Sequence, residues 1–267
     1  MISCALTIAG SDSGGCAGIQ ADIKTFSALG VFGMSAITAL TSQNTLGVTH
    51  VYPVSAESVT SQIDAVMADM GAKAVKTGML FSEDIISAVA GRLKHWQAEN
   101  LVVDPVMVST TGALLLRESA VEEMASHLFP LAKVVTPNLP EAEALVGGKI
   151  KTDSDRREAC EAIVRKGAGS VVLKGGHDSG INGKAVDLWY DGKVFCELSS
   201  EWVDTKNLHG TGCTFSAAIA GYLALSHTLE ESLRLAKNYI SGAISAGKDM
   251  SVGKGNGPVD HFWQRCL

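Results

Sequence analysis

Short, almost unbroken runs of apolar and often β-branched residues recur along this chain. Between them lie stretches whose apolar positions return every three or four residues. The runs Ala5–Ala9, Met34–Leu40, Ala74–Lys76, Leu101–Val103, Lys133–Thr136 and Ser170–Lys174 read as strands buried on both faces, the pattern of a parallel sheet covered by helices. Helical spacing is clear in Ile19–Leu29, through Ile19, Ile23, Phe26 and Leu29. It is equally clear in Ser55–Met70, where Ser55 and Ser58 are cap candidates and Val59, Ile63, Val66 and Met70 share a face. Glu83–His95, Ala120–Leu128, Glu141–Val146 and Asp153–Lys166 continue the series, and Phe215–Ala224 and Leu229–Ile244 end it. Strands alternating with helices predict βαβ units with right-handed crossovers. One departure is informative: Ala185–Tyr190 and Lys193–Leu198 flank Asp191-Gly192, a strong hairpin turn, so an antiparallel pair follows the parallel strands. With no linker or repeat in the pattern, residues 1–267 are expected to form a single α/β domain.

Composition narrows the function classes. A net charge of −6, with no basic run, argues against a nucleic-acid partner. No apolar run approaches the roughly 18 residues of a membrane span, and the N-terminus has no basic region of a secretory signal. The 6 cysteines are scattered without a Cys-x-x-Cys pair, which predicts reduced thiols and a cytoplasmic protein with neither zinc site nor disulfide framework.

The candidate chemistry gathers at predicted strand ends, where open parallel sheets bind ligands. Lys206-Asn207-Leu208-His209-Gly210-Thr211-Gly212-Cys213-Thr214 is a glycine-rich loop running into a helix with a thiol at its entrance. Gly210 and Gly212 permit close backbone approach, and unpartnered first-turn N–H groups bind anions. A plain turn reads the same letters. The loop Gly10–Asp22 after the first strand offers Asp12 and Asp22, although Asp12 also suits a helix cap; neither G-x-G-x-x-G nor a P-loop signature is present. Asp104 ends one strand and Lys174 another. Asn138 and Glu141 suit a helix cap, or equally a hydrated Mg²⁺, which takes one or two carboxylates together with water and phosphates.

Taken in order, these motifs resemble the hydroxymethylpyrimidine/phosphomethylpyrimidine kinases of thiamine biosynthesis, within the ribokinase-like family. The match is carried by Leu6–Gly15, Ala17–Asp22, Thr38–Leu40, Gln43-Asn44-Thr45, Gly78-Met79-Leu80, Asp104–Met107, Thr136–Ala142, Lys174-Gly175-Gly176-His177, His209–Thr214 and Gly257–Phe262. The resemblance implies a three-layer sandwich, with a mostly parallel sheet flanked by helices and an antiparallel hairpin at one edge. It implies two successive phosphoryl transfers from ATP with Mg²⁺, to a pyrimidine alcohol and then to its monophosphate, by a homodimer.

Gly210, Thr211, Gly212 and Cys213 would then form the catalytic cradle, with Cys213 as base and its thiol pKa lowered by the helix terminus. Gln43 would meet the pyrimidine edge, Asp22 the hydroxymethyl or amino group, and Gly10, Met79 and Val106 the ring, although Met79 and Val106 also read as core. Lys174, Asn138, Glu141, Asp104 and His209 would serve ATP and its phosphates, with Glu141 and Asn138 reaching Mg²⁺ through water. Cys16 departs from the family's usual glycine, and Thr110-Thr111-Gly112-Ala113 from Ser-Gly-Asp. A pyridoxal kinase of the same fold is the nearest rival; a non-catalytic pyrimidine-binding protein and a nicotinamide dehydrogenase fit less well.

Overall fold

The structure, a computed structural model, describes residues 2–107, 118–175 and 183–264. Thr110–Ala113, Gly176, His177 and Cys266 lie outside the described residues. Nine strands form one sheet in the order β3-β2-β1-β4-β5-β6-β7-β8-β9. They are β1 (Cys4–Asp12), β2 (Phe32–Asn44), β3 (Gly47–Pro53), β4 (Ala74–Thr77), β5 (Leu101–Val103), β6 (Ala132–Val135), β7 (Val171–Leu173), β8 (Lys184–Tyr190) and β9 (Phe195–Glu201). From β2 through β1, β4, β5 and β6 to β7 all neighbours are parallel. The hairpin β8–β9 adds antiparallel strands at one edge, as its Asp191-Gly192 turn predicts.

Period-two alternation divides the strand side chains between two cores. Leu6, Ile8, Val75, Leu101, Val103, Val135, Val171 and Leu173 face one side. There they pack under α2 (Ala56–Asp69), α3 (Glu83–His95), α4 (Glu118–His127), α5 (Leu139–Val146) and α6 (Asp153–Arg165). Ala5, Ala74, Val102, Val134 and Val172 face the other, against α1 (Gly18–Ala28), α7 (Thr211–Ala224) and α8 (Leu229–Gly247). The three layers expected from the sequence are therefore present.

Two differences from the sequence-based expectation bear on the site. The strand β3, not foreseen, pairs antiparallel with β2 at the opposite edge, and its register runs through Gln43 and Asn44 at the end of β2. Helix α7 begins at Thr211 rather than Phe215, so the Gly-Thr-Gly-Cys segment is itself the first helical turn.

Candidate active site at the carboxyl ends of the parallel strands

The predicted site residues lie at or just beyond the carboxyl ends of β1, β2 and β4–β7, on α1, α5 and α7, or in the turn that enters α7. Gly210 makes the sharp entry to α7. Its φ of 84° lies in the left-handed region, and a Cβ there would sit 1.8 Å from the Cys16 carbonyl oxygen. Gly18 opens α1 with φ 57°, and a Cβ on it would fall 2.3 Å from the Gly10 carbonyl oxygen. The two loops thus interlock backbone against backbone, which only glycine permits.

Helices α2, α3, α5, α6 and α8 each start with a Ser, Thr or Asn side chain accepting a first-turn N–H. Helix α7 has no such cap. Its first turn therefore presents backbone donors to the crevice. Asp12 organises the facing loop: Oδ1 accepts the Gly14 N–H and Oδ2 those of Cys16 and Ala17, all at 2.8 Å. Asp12 thus organises the turn before α1, and the helix itself has no side-chain cap.

Beneath this cradle lies a cluster of buried charge. Lys174 Nζ is 2.9 Å from Asp104 Oδ1 and 3.9 Å from Glu141 Oε2. A Cβ on Gly212 would stand 3.3 Å from the same ammonium, so the lysine reaches the first turn of α7. Thr136 and Ser216 hydroxyls donate to Asp104. Burial opposes ionisation of Asp104, yet Lys174, Lys76 and these donors outweigh it and hold the carboxyl below its ordinary range. Burial likewise disfavours charge on Lys174, but Asp104 and Glu141 raise its pKa.

Asn138 and Glu141 form a reciprocal capping box at α5: Asn138 Oδ1 accepts the Glu141 N–H and Glu141 Oε2 the Asn138 N–H. The cap and the crevice are not exclusive, because the same Glu141 carboxylate faces Lys174. Burial pushes Glu141 up to about 7, against the pull of Lys174. A buried carboxylate so short of compensating charge fits a neighbouring divalent cation. Among the described residues no group of three or more His, Cys, Asp or Glu could hold a metal ion, so phosphates and water would have to complete the shell of a Mg²⁺.

Asp22 departs from its expected place. It is fully buried on α1, taking Lys76 Nζ at 2.9 Å and 3.1 Å and the Thr7 hydroxyl at 2.6 Å. Both of its oxygens are engaged within the protein and it has no exposed surface. Burial raises the Asp22 pKa despite Lys76; burial lowers that of Lys76, but Asp22 more than restores it, so the lysine stays charged. Lys76 was missing from the sequence-based site. Its signal was a lysine inside a four-residue strand that is otherwise apolar or Thr, and the structure buries it completely.

The expectation for the Cys213 thiol is also corrected. Gly18 N–H points at its sulfur and Lys76 lowers its pKa, but burial, with Asp22 and Asp104 nearby, pushes the thiol up to about 11. Desolvation and two carboxylates outweigh the helix terminus, so the resting group is a neutral thiol.

On the far side of the crevice the chemistry is uncharged. A register shift between Ser42 and Gln43 marks a bulge in the β2–β3 ladder, of the kind that re-aims a side chain. Gln43 Nε2 is 2.8 Å from His209 Nε2, and Gln43 Oε1 is 3.2 Å from Thr41 Oγ1. His209 was expected with the phosphate ligands. In the structure it is buried with its Nε2 against the Gln43 amide. The Met79 methyl packs where a Cβ on Gly10 would be, 2.8 Å away. Met79 is buried and Val106, just beyond Asp104, is half-buried.

A family model described as phosphomethylpyrimidine kinase matches residues 12–260. The hydroxymethylpyrimidine/phosphomethylpyrimidine kinase of Rhizobium meliloti (strain 1021) is 52% identical over 263 residues, spanning 98% of both chains. The thiamine biosynthesis bifunctional protein of Geobacter sulfurreducens is 49% identical over 96% of this chain, which spans 52% of that longer protein. Among solved structures, a Bacillus subtilis pyridoxal kinase in complex with ADP superimposes with a TM-score of 0.91 at 39% identity, covering 100% of both chains. A phosphomethylpyrimidine kinase from Clostridium difficile 630 gives a TM-score of 0.80 at 44% identity, over 91% of this chain and 100% of that one.

Proposed function

The chain belongs to the phosphomethylpyrimidine kinase family, and we propose that its crevice carries out both ATP-dependent phosphorylations of 4-amino-5-hydroxymethyl-2-methylpyrimidine, to the monophosphate and then the diphosphate, in thiamine biosynthesis. The observation that carries this reading is the uncapped first turn of α7 beside Lys174 and Cys213, facing the neutral Gln43–His209 side across one crevice.

Phosphoryl transfer needs positioning and charge neutralisation more than covalent help. The N–H groups of Gly212 and Cys213 would receive the transferring phosphoryl group, with Lys174, steadied by Asp104, against its oxygens, while Thr211, whose N–H goes to the Leu208 carbonyl at 3.2 Å, shapes the turn. Mg²⁺, carried in with ATP and held through water by Glu141 and Asn138, would neutralise phosphate charge. Gln43 presents an amide donor and acceptor to the amino-pyrimidine edge, and Gly10, Met79 and Val106 line the ring. The thiolate form of Cys213, a small fraction of the resting neutral thiol, would take the proton of the hydroxymethyl group during the first transfer. A monophosphate acceptor is already ionised, so the second transfer needs the thiol less. Asp22 and Lys76 act from below, fixing the field around the thiol.

The rest of the reading concerns the whole protein. No helix among the described residues is long and apolar enough to cross a membrane. The acidic chain and its free thiols suit a cytoplasmic enzyme of small molecules rather than a nucleic-acid partner. A homodimer is part of the proposal: Leu40 and Tyr52, cross-strand partners at the outer edge, are 50% and 56% exposed.

The test is direct. Purified protein with Mg-ATP should convert the pyrimidine alcohol to monophosphate and then diphosphate, followed by mass spectrometry. Accumulation of monophosphate alone would remove the second activity. The 39% identity with a pyridoxal kinase favours one further reading, pyridoxal as a second substrate. It calls for the same assay with pyridoxal.

A further inference from the structure

The Gln43 amide can sit in its frame in two senses related by a half-turn, and they offer a ligand opposite patterns. In the first, Gln43 donates to a lone pair on His209 Nε2. The ring proton then sits on Nδ1, which is buried and has no partner among the described residues. The single Thr41 hydroxyl hydrogen is also divided, between the Ser11 carbonyl at 2.9 Å and Gln43 Oε1 at 3.2 Å. In the second, His209 Nε2–H donates to Gln43 Oε1, Gln43 Nε2 donates to Thr41 Oγ1, and Thr41 donates undivided to Ser11. His209 Nδ1 is left as a buried lone pair, so this sense orphans an acceptor rather than a donor. Each hydrogen that links the three side chains and Ser11 then has one acceptor. The carbonyl of Ser11, which can only accept, anchors the direction of the whole relay.

This sense leaves one N–H and one oxygen lone pair of Gln43 for a ligand, in a fixed order. An aminopyrimidine edge pairs a ring nitrogen acceptor with an exocyclic amine donor, and the 5-hydroxymethyl group lies on the amine side. Reversing the amide would require the ring to turn over and swing that hydroxyl to the other side. We propose that His209, with Thr41 at the other end of the relay, is a positioning residue that fixes the sense of the Gln43 amide and so determines which ring edge is accepted. The inference rests on the reading of Gln43 as the contact for the pyrimidine.

The experiment measures calorimetric binding of the hydroxymethylpyrimidine without nucleotide, binding of a non-hydrolysable ATP analogue, and kcat/KM on the pyrimidine relative to pyridoxal. His209→Phe keeps a ring without the donor, and Thr41→Val keeps volume without the hydroxyl. Each should weaken pyrimidine binding about tenfold, with nucleotide binding within twofold, and lower the pyrimidine-over-pyridoxal ratio by a similar factor. His209→Gln and Thr41→Ser, which restore a donor and a hydroxyl, should recover most of both. If His209→Phe does not fold, Thr41→Val carries the test. Unchanged affinity and selectivity, or equal losses for pyrimidine and nucleotide, would overturn the proposal. A wild-type protein that binds no pyrimidine would sink the reading of the site and this inference with it.

Discussion

On one side of the crevice five ionisable side chains, Asp22, Lys76, Asp104, Glu141 and Lys174, are packed together almost out of water; on the other, Gln43, Thr41 and His209 hold one another without formal charge. His209 remains neutral because burial lowers its pKa, against a weaker opposing pull from Asp12. The contrast follows what each side has to hold. A phosphoryl group in transfer spreads charge over its oxygens, so preorganised charge is effective there. A neutral heteroaromatic ring is distinguished by the order of its donors and acceptors, which a neutral amide relay can define. The charged side is also incomplete by itself. Two lysines face three carboxylates, and a triphosphate adds further negative charge, which the helix termini and a divalent cation would offset.

Removing the central charge should have the largest effect. Lys174→Met should lower kcat/KM about 10³-fold for both transfers, because the ammonium serves the phosphoryl group whatever the acceptor. A loss confined to one step would separate Lys174 from the shared transition state. Cys213→Ala should come next, slowing the first transfer roughly 10²-fold and the second much less. With the thiol pushed up to about 11, its ionised fraction grows as pH rises. The wild-type first-step rate should therefore climb between about pH 7 and pH 9, while that of Cys213→Ala stays flat. Parallel profiles would end the base role. Gln43→Leu tests the neutral side, with roughly 30-fold weaker pyrimidine binding and unaltered nucleotide binding. Equal losses would mean that the ring is held elsewhere.

How much of this was legible depends on what enforces each element. The parallel strands were readable because burial on both faces leaves nearly continuous apolar runs, and Leu101–Val103 was placed to the residue. The strand β3 was missed for the opposite reason: it is an edge strand, largely exposed, with little hydrophobic pattern to impose. The start of α7 was placed too late, since Gly-Thr-Gly has poor helix propensity. Interlocking of Gly210 with Cys16 and of Gly18 with Gly10 fixes that turn instead. His209 was assigned by its neighbours in sequence, whereas its ring meets Gln43, 166 residues away along the chain. The Asp22–Lys76 pair joins residues 54 apart, and sequence showed a polar helix residue and a lysine in a strand without joining them.

The smallest expected effect concerns stability, and it isolates the cost of the charged side. An ordinary glutamate titrates near 4.5, whereas burial pushes Glu141 up to about 7. The folded protein therefore binds this proton more tightly than the unfolded chain does. Its contribution is fully favourable below about pH 4.5 and is lost as pH rises through about 7, where the buried group must ionise. Glu141→Gln keeps an oxygen to accept the Asn138 N–H, so the capping box at α5 can survive. The variant should match the wild-type melting temperature near pH 4.5 and exceed it by about 3 °C at pH 8. It should also bind Mg-ATP more weakly. The pair of outcomes is informative because a cap alone predicts neither: loss of a cap would destabilise at both pH values and leave nucleotide binding alone. A variant equally shifted at both pH values would show that Glu141 stores no electrostatic cost for a cation to relieve.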